Sequence, residues 1–162
     1  MTIKHRYPHL NIILADDDKD DCAFFKKALL EIPIATHLAI VHDGEHLMKY
    51  LFKNINNLPD ILFLDLSMPR KTGFECLAEI KENEQLKEIP VYVFTTSFGR
   101  GHDFEQSLIN TLSRIGAKDY IRKPGDFEQL KLIIHQAISF EIEIGLQKKP
   151  GTNDTNILKI AN

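Results

Sequence analysis

Four short strand-like runs in this chain, three of them apolar, end in side chains that could act together on a phosphoryl group. Leu10–Ala15 reads Leu-Asn-Ile-Ile-Leu-Ala and runs into Asp16, Asp17 and Asp18. Ile61–Leu64 runs into Asp65, residues 91–94 run into Thr95, Thr96 and Ser97, and residues 119–122 end at Lys123-Pro124. A carboxylate can attack phosphorus while an ammonium neutralises the equatorial oxygens and a hydroxyl hydrogen-bonds one of them. Carboxylates gathered in one place repel, and at least one should take up a proton unless a divalent cation joins them. Mg²⁺ suits such a set, because it prefers oxygen ligands and typically takes one or two carboxylates plus a phosphate oxygen. Taken singly, each residue has a plainer use: a strand-end aspartate caps or turns, Thr95 forms strand, Lys-Pro makes a turn. The conjunction carries the reading, provided folding brings the run ends to one place.

The elements that would do so can be read from the pattern. Residues 61–65, bounded by Pro59-Asp60 and Ser67-Met68-Pro69, suit a strand buried on both faces, as in a parallel sheet. Burying Asp65 alone would be costly, so it belongs at the strand exit, where open α/β sheets bind ligands. After Asp18 the period changes: Cys22, Phe25, Leu29 and Ile32 share a helical face, and Pro33 stops the helix. Asp18, Asp20 and Asp21 fall in its first turn, where capping and the helix dipole explain them. Residues 37–41 give a weaker strand, and Asp43-Gly44 opens a helix expected to turn Leu47, Met48, Leu51, Phe52 and Ile55 inward. Thr72-Gly73-Phe74-Glu75 is a capping box for a helix reaching about Glu82, with Phe74, Cys76, Leu77 and Ile80 as its apolar members. Pro90 introduces the strand 91–94. Asp103 is expected to cap a helix with Phe104, Leu108, Ile109, Leu112 and Ile115 inward, closed by Gly116. A final helix should run from 126 to about 144, ended by Gly145. Five strand–helix units imply a parallel sheet with helices on both faces and right-handed crossovers.

Length and composition bound the rest. At 162 residues and 43% hydrophobic, the chain can core one domain, with little left for a second. A net charge of −3 and a pI near 6.2 give no reason to expect nucleic acid or an anionic membrane surface as partner. No apolar stretch approaches a membrane span and no signal core follows the basic N-terminus, so the expected location is the cytoplasm. Cys22 and Cys76 are expected as reduced, packed thiols. His42 and His46, four apart, are read as surface histidines rather than a metal pair, since no carboxylate helix motif surrounds them.

Together these motifs place the chain near a family. The stretches Ile-Leu-Ala-Asp16-Asp17-Asp18, Leu-Asp65-Leu-Ser-Met-Pro69 with Gly73, Val-Phe-Thr95-Thr-Ser97, Gly116-Ala117 and Tyr120-Ile-Arg-Lys123-Pro124 make residues 10–144 resemble the receiver domain of bacterial two-component response regulators. The resemblance implies a flavodoxin-like (βα)5 fold with strand order 2-1-3-4-5. It also implies phosphorylation of Asp65 by a histidine kinase or histidine phosphotransfer protein. Asp17, Asp65 and the Ser67 carbonyl would hold Mg²⁺, with Asp16 acting mostly through water. Thr95 and Lys123 would engage the phosphoryl group, Lys123-Pro124 would be joined by a cis peptide, and Tyr120 would change rotamer with Thr95.

On this reading residues 1–9 are an extension, 10–145 the receiver domain, and 146–162 a tail expected to be mobile. No output domain is evident, so a stand-alone regulator is expected that acts on a downstream protein or passes the phosphate on, a signalling phosphoacceptor rather than an enzyme. The segment from Thr95 to Gly116 looks longer than usual, which affects the partner surface rather than the chemistry. Extra apolar residues on the last helix (Ile133, Phe140, Ile144) could mark a homodimer or partner surface, or the dock of the tail. Two rival readings remain: a haloacid-dehalogenase-type phosphatase, for which Asp16 and Asp18 have the right spacing, and a phosphorylation-independent adaptor.

Overall fold

The computed structural model describes residues 9–96 and 99–147. Expectations for the N-terminal extension, for Ser97 and Phe98, and for the tail beyond Gln147 lie outside the described residues. The elements run β1 (Leu10–Ala15), α1 (Lys19–Glu31), β2 (Thr36–Val41), α2 (Gly44–Lys53), β3 (Ile61–Leu64), α3 (Gly73–Glu82), β4 (Val91–Thr95), α4 (His102–Ile115), β5 (Asp119–Arg122) and α5 (Phe127–Gln147). All strand pairs are parallel and the sheet order is β2-β1-β3-β4-β5, the doubly wound flavodoxin-like arrangement expected.

Alternation along the strands divides the core into two layers. Ile13, Ala15, Leu62, Leu64, Val91 and Val93 face α2, α3 and α4, where Leu47, Leu51, Cys76, Leu77, Ile80 and Leu112 meet them. Ile12, Leu14, Ile61, Phe63, Tyr92 and Phe94 face α1 and α5, against Phe25, Ala28, Leu29, Ile134 and Ile138. β1, β3 and β4 are buried on both faces, so they read as unbroken apolar runs. The register sets Ala15 opposite Leu64 and Leu64 opposite Val93, so the residues that follow emerge side by side on one edge.

Local chemistry explains most element ends. Asp18 caps α1 by accepting from the backbone N–H groups of Asp20 and Asp21. Asp43 caps α2, and Thr72 with Glu75 forms the reciprocal capping box of α3. Gly116, at φ 126°, closes α4 and lets its own N–H reach the Leu112 carbonyl.

Four expectations are corrected. Asp103 does not cap α4: the cap position is Gly101, with no side-chain hydrogen bond, and Asp103 stands in the first turn, where its charge suits the dipole. Phe52 and Phe104 do not point inward, being 43% and 39% exposed. Phe52 falls off the Gly44–Leu47–Met48–Leu51 stripe that α2 buries. In α4 only Leu112 is fully buried, and Phe104 lies under the Arg100 guanidinium, 5.3 Å from its ring centre. α5 continues through Gly145 to Gln147, because one glycine costs only about 1 kcal/mol in a helix held by its buried face. No cis peptide occurs among the described residues, so Lys123–Pro124 keeps the trans form that X–Pro bonds intrinsically prefer. His42 and His46 are exposed, as expected, and His42 also contacts backbone, as described below.

Both cysteines are free and buried, as expected. Burial pushes the Cys22 thiol up to about 11 and the Cys76 thiol up to about 12, which keeps them protonated and inert.

Candidate active site at the strand exits

β1 delivers Asp16 and Asp17, β3 delivers Asp65, β4 delivers Thr95 and the turn after β5 delivers Lys123. Asp65 is 5% exposed and continues the ladder, its N–H donating to the Ala15 carbonyl at 2.9 Å. Its Oδ1 accepts the Thr95 hydroxyl at 2.9 Å and the Ser67 N–H at 3.4 Å. Its Oδ2 lies 3.4 Å from the Lys123 ammonium. Thr95 also anchors Lys123 through the backbone, its carbonyl accepting the Lys123 N–H at 2.8 Å.

Asp16 is completely buried. Its Oδ1 accepts the Asp18 N–H at 2.9 Å. Its Oδ2 is 2.6 Å from the Lys123 ammonium, yet no donor is aligned on it for a hydrogen bond. Burial raises the Asp16 carboxyl to about 6, against the lowering effect of Lys123 and the Asp18 N–H. Burial alone would lower the Lys123 pKa, but its close contacts with Asp16 and Asp21 and the charge of Asp65 outweigh it and raise it. The lysine is therefore a fixed cation whose side chain is only 9% exposed.

Carboxylate oxygens of Asp16, Asp17 and Asp65 all lie within 4.8 Å of one another, and they form the one such metal-capable group among the described residues. Three hard oxygen donors, one of them a buried atom lacking an aligned partner, fit a divalent cation such as Mg²⁺ or Mn²⁺.

The surrounding backbone is tightly set. A Cβ on Gly73 would collide with the Asp65 backbone carbonyl, so the start of α3 can close on the strand exit only through glycine. Gly73 also donates its N–H to the Leu66 carbonyl at 3.0 Å. In the connecting loop Arg70 holds a left-handed conformation, φ 68°, which a non-glycine residue adopts at some cost. Tyr120 packs half-buried against the α2–α4 core layer, with its hydroxyl buried and without a hydrogen bond.

The structure thus brings together Asp16, Asp17, Asp65, Thr95 and Lys123, with the Ser67 backbone alongside. It also shows two neighbours that pattern reading overlooked. Asp21, read as a helix-start residue, accepts from the Lys123 ammonium at 2.9 Å. His42 stands 3.0 Å through Nδ1 from the Asp16 carbonyl. The first residue past β2, His42 shares the strand-exit edge, a signal that could have found it. Asp21 follows Asp17 by four residues, about one helical turn, which was a weaker hint. Asp18, by contrast, is occupied in capping and is unavailable as the second member of a dehalogenase-type Asp-x-Asp pair.

The response regulator receiver domain family profile matches residues 12–135. The response regulator Rcp1 of Synechocystis sp. (strain ATCC 27184 / PCC 6803 / Kazusa) is 41% identical over 91 residues, which span 53% of this chain and 61% of that protein. Less than two thirds of that relative is therefore matched in sequence. Among solved structures, the phosphorylated cyanobacterial phytochrome response regulator RcpA is similar with a TM-score of 0.72 and 32% identity, covering 83% of this chain and 95% of that one. The Mn²⁺-bound form of Rcp1 has a TM-score of 0.69 and 31% identity, covering 81% and 93%.

Proposed function

The chain belongs to the response regulator receiver domain family, a family of phosphoacceptors rather than turnover enzymes, and on that premise we propose that it accepts a phosphoryl group on Asp65 from a histidine kinase or histidine phosphotransfer protein. One observation carries the assignment. The Asp65 carboxylate meets the Thr95 hydroxyl on one oxygen and the Lys123 ammonium on the other, beside two further carboxylates within metal-bridging reach.

In the proposed reaction a carboxylate oxygen of Asp65 forms a bond to phosphorus as the phosphorus–nitrogen bond to the donor imidazole breaks. Lys123 neutralises charge on the transferred oxygens, and the Thr95 hydroxyl turns from Asp65 to donate to one of them. Asp16, Asp17, Asp65 and the Ser67 carbonyl would hold Mg²⁺, which supplies positive charge to the equatorial oxygens. Supporting a divalent cation, Rcp1 is known in a Mn²⁺-bound form, and RcpA in a phosphorylated one.

The signal would leave through Thr95 and Tyr120. Drawing the Thr95 hydroxyl toward a phosphoryl oxygen empties space next to an aromatic whose own hydroxyl has no partner holding it. A preference of ~1–3 kcal/mol for one arrangement would change affinity for a downstream protein about 5- to 150-fold. No helix among the described residues is long and apolar enough to cross a membrane.

Asp65→Asn is expected to abolish Mg²⁺-dependent labelling by acetyl phosphate, read by intact-protein mass. Undiminished labelling of that variant would move the acceptor elsewhere.

A further inference from the structure

We propose that Asp21, in the first turn of α1, is the positioning residue for Lys123, an inference that rests on the reading of Asp65 as phosphoacceptor. Lys123 makes three ion pairs: to Asp16 at 2.6 Å, Asp21 at 2.9 Å and Asp65 at 3.4 Å. Asp65 is the acceptor itself. Asp16 belongs to the cation-binding set, and its contact is close but not aligned as a hydrogen bond. Asp21 is the remaining partner, outside both roles, and its contact is a hydrogen bond between residues 102 apart in the chain.

A lysine needs such a partner. Its four-carbon stem has high rotamer freedom, and its ammonium carries no fixed direction of its own. Lys123 must reach Asp65 from the turn after β5, while the first turn of α1 presents the positive end of a helix dipole to it. Asp21 offsets that repulsion and fixes the ammonium at the α1 wall of the pocket.

Its carboxylate is not needed for capping. Asp18 already satisfies the first N–H groups of α1, that of Asp21 included. The Asp21 side chain is one-third exposed and the Lys123 side chain almost covered, so Asp21 forms the rim from which the lysine is held.

The measurement is the initial rate of Asp65 labelling by acetyl phosphate, at Mg²⁺ saturating for each variant. An Asp65 oxygen bonds to phosphorus as the bond from phosphorus to the acetyl oxygen breaks, and acetate departs with the electron pair. Asp21→Ala is expected to slow labelling about fivefold. Asp21→Asn, which keeps an oxygen acceptor, should recover most of the loss. In a Lys123→Ala background the same Asp21→Ala change should have almost no effect, because its partner is already gone.

An unchanged or faster rate in Asp21→Ala overturns the proposal. So does an equal loss in both backgrounds, which would mean that Asp21 acts through the fold. Asp21→Ser, a better helix-start residue, replaces Asp21→Ala if thermal melting shows the alanine variant unfolded. A wild-type protein that takes no label would instead sink the phosphoacceptor reading, so the two failures are distinguishable.

Discussion

Asp16 illustrates how a residue's own discomfort can reveal its purpose. It is fully buried, and burial raises its carboxyl from 3.8 to about 6. A carboxyl raised in the folded state binds a proton there that the unfolded chain has already lost. Its stabilising contribution is complete below pH 4 and disappears as pH rises through about 6. At pH 7.5 the ionised group therefore works against the fold, by roughly 1–3 kcal/mol. Asp16→Asn is expected to make the metal-free protein more resistant to urea by that amount at pH 7.5, with the gain vanishing by pH 4. Adding Mg²⁺ should reverse the order, since only the carboxylate binds it well. Loss of stability in metal-free Asp16→Asn at pH 7.5 would contradict this account. At the same scale, the five side chains gathered at the strand exits were visible in the sequence because each stands at or just past the end of a strand-like run. Asp21 and His42 were not. Asp21 sits among acids that capping explains, and His42 works through a backbone carbonyl that no residue pattern encodes.

At the scale of elements, strands and helix starts were legible and helix faces less so. Strand ends follow the apolar runs closely, and caps such as Thr72 with Glu75 rely on side-chain chemistry written locally. Which way Phe52 and Phe104 face depends instead on how far each helix leans from the sheet, a tertiary matter. α4 is the clearest case, burying Leu112 completely and leaving Leu108 and Ile109 half-buried. Gly145 signals a stop for α5 by propensity alone, while Glu141 and Ile142 hold the helix against the core. Glu141 accepts the Tyr92 hydroxyl at 2.7 Å and pairs with Lys118 at 2.5 Å. The join between β3 and α3 gives a direct test. Gly73→Ala drives a methyl into the Asp65 carbonyl, so it should cost about 2 kcal/mol or more in chemical denaturation. It should also slow acetyl phosphate labelling of the folded fraction, because the displaced backbone carries the proposed acceptor. A variant as stable and as reactive as wild type would show that α3 can back away.

For the whole molecule, topology followed from alternation of strand and helix signals, since a parallel sheet collects every strand exit on one edge. Long-range pairing did not follow, because nothing in the linear order links Asp21 to Lys123 or Tyr92 to Glu141. One such assembly lies under the site. Phe25, Phe63, Phe94 and Tyr92 meet ring to ring on the α1–α5 side of the sheet, with centres 5.0–6.3 Å apart. The Lys123 ammonium rests 5.6 Å above the Phe94 ring. Interlocked rings at interior packing density yield little to pressure from above. A bulky group added at Asp65 thus stands on an anvil, and the displacement it causes must travel laterally along the strand exits rather than sink into the core. Phe63→Leu should soften that base. The variant is expected to take label normally yet show smaller phosphorylation-dependent amide shifts at Tyr120 and along α4. Shifts as large as those of the wild type would mean that the rings only fill space.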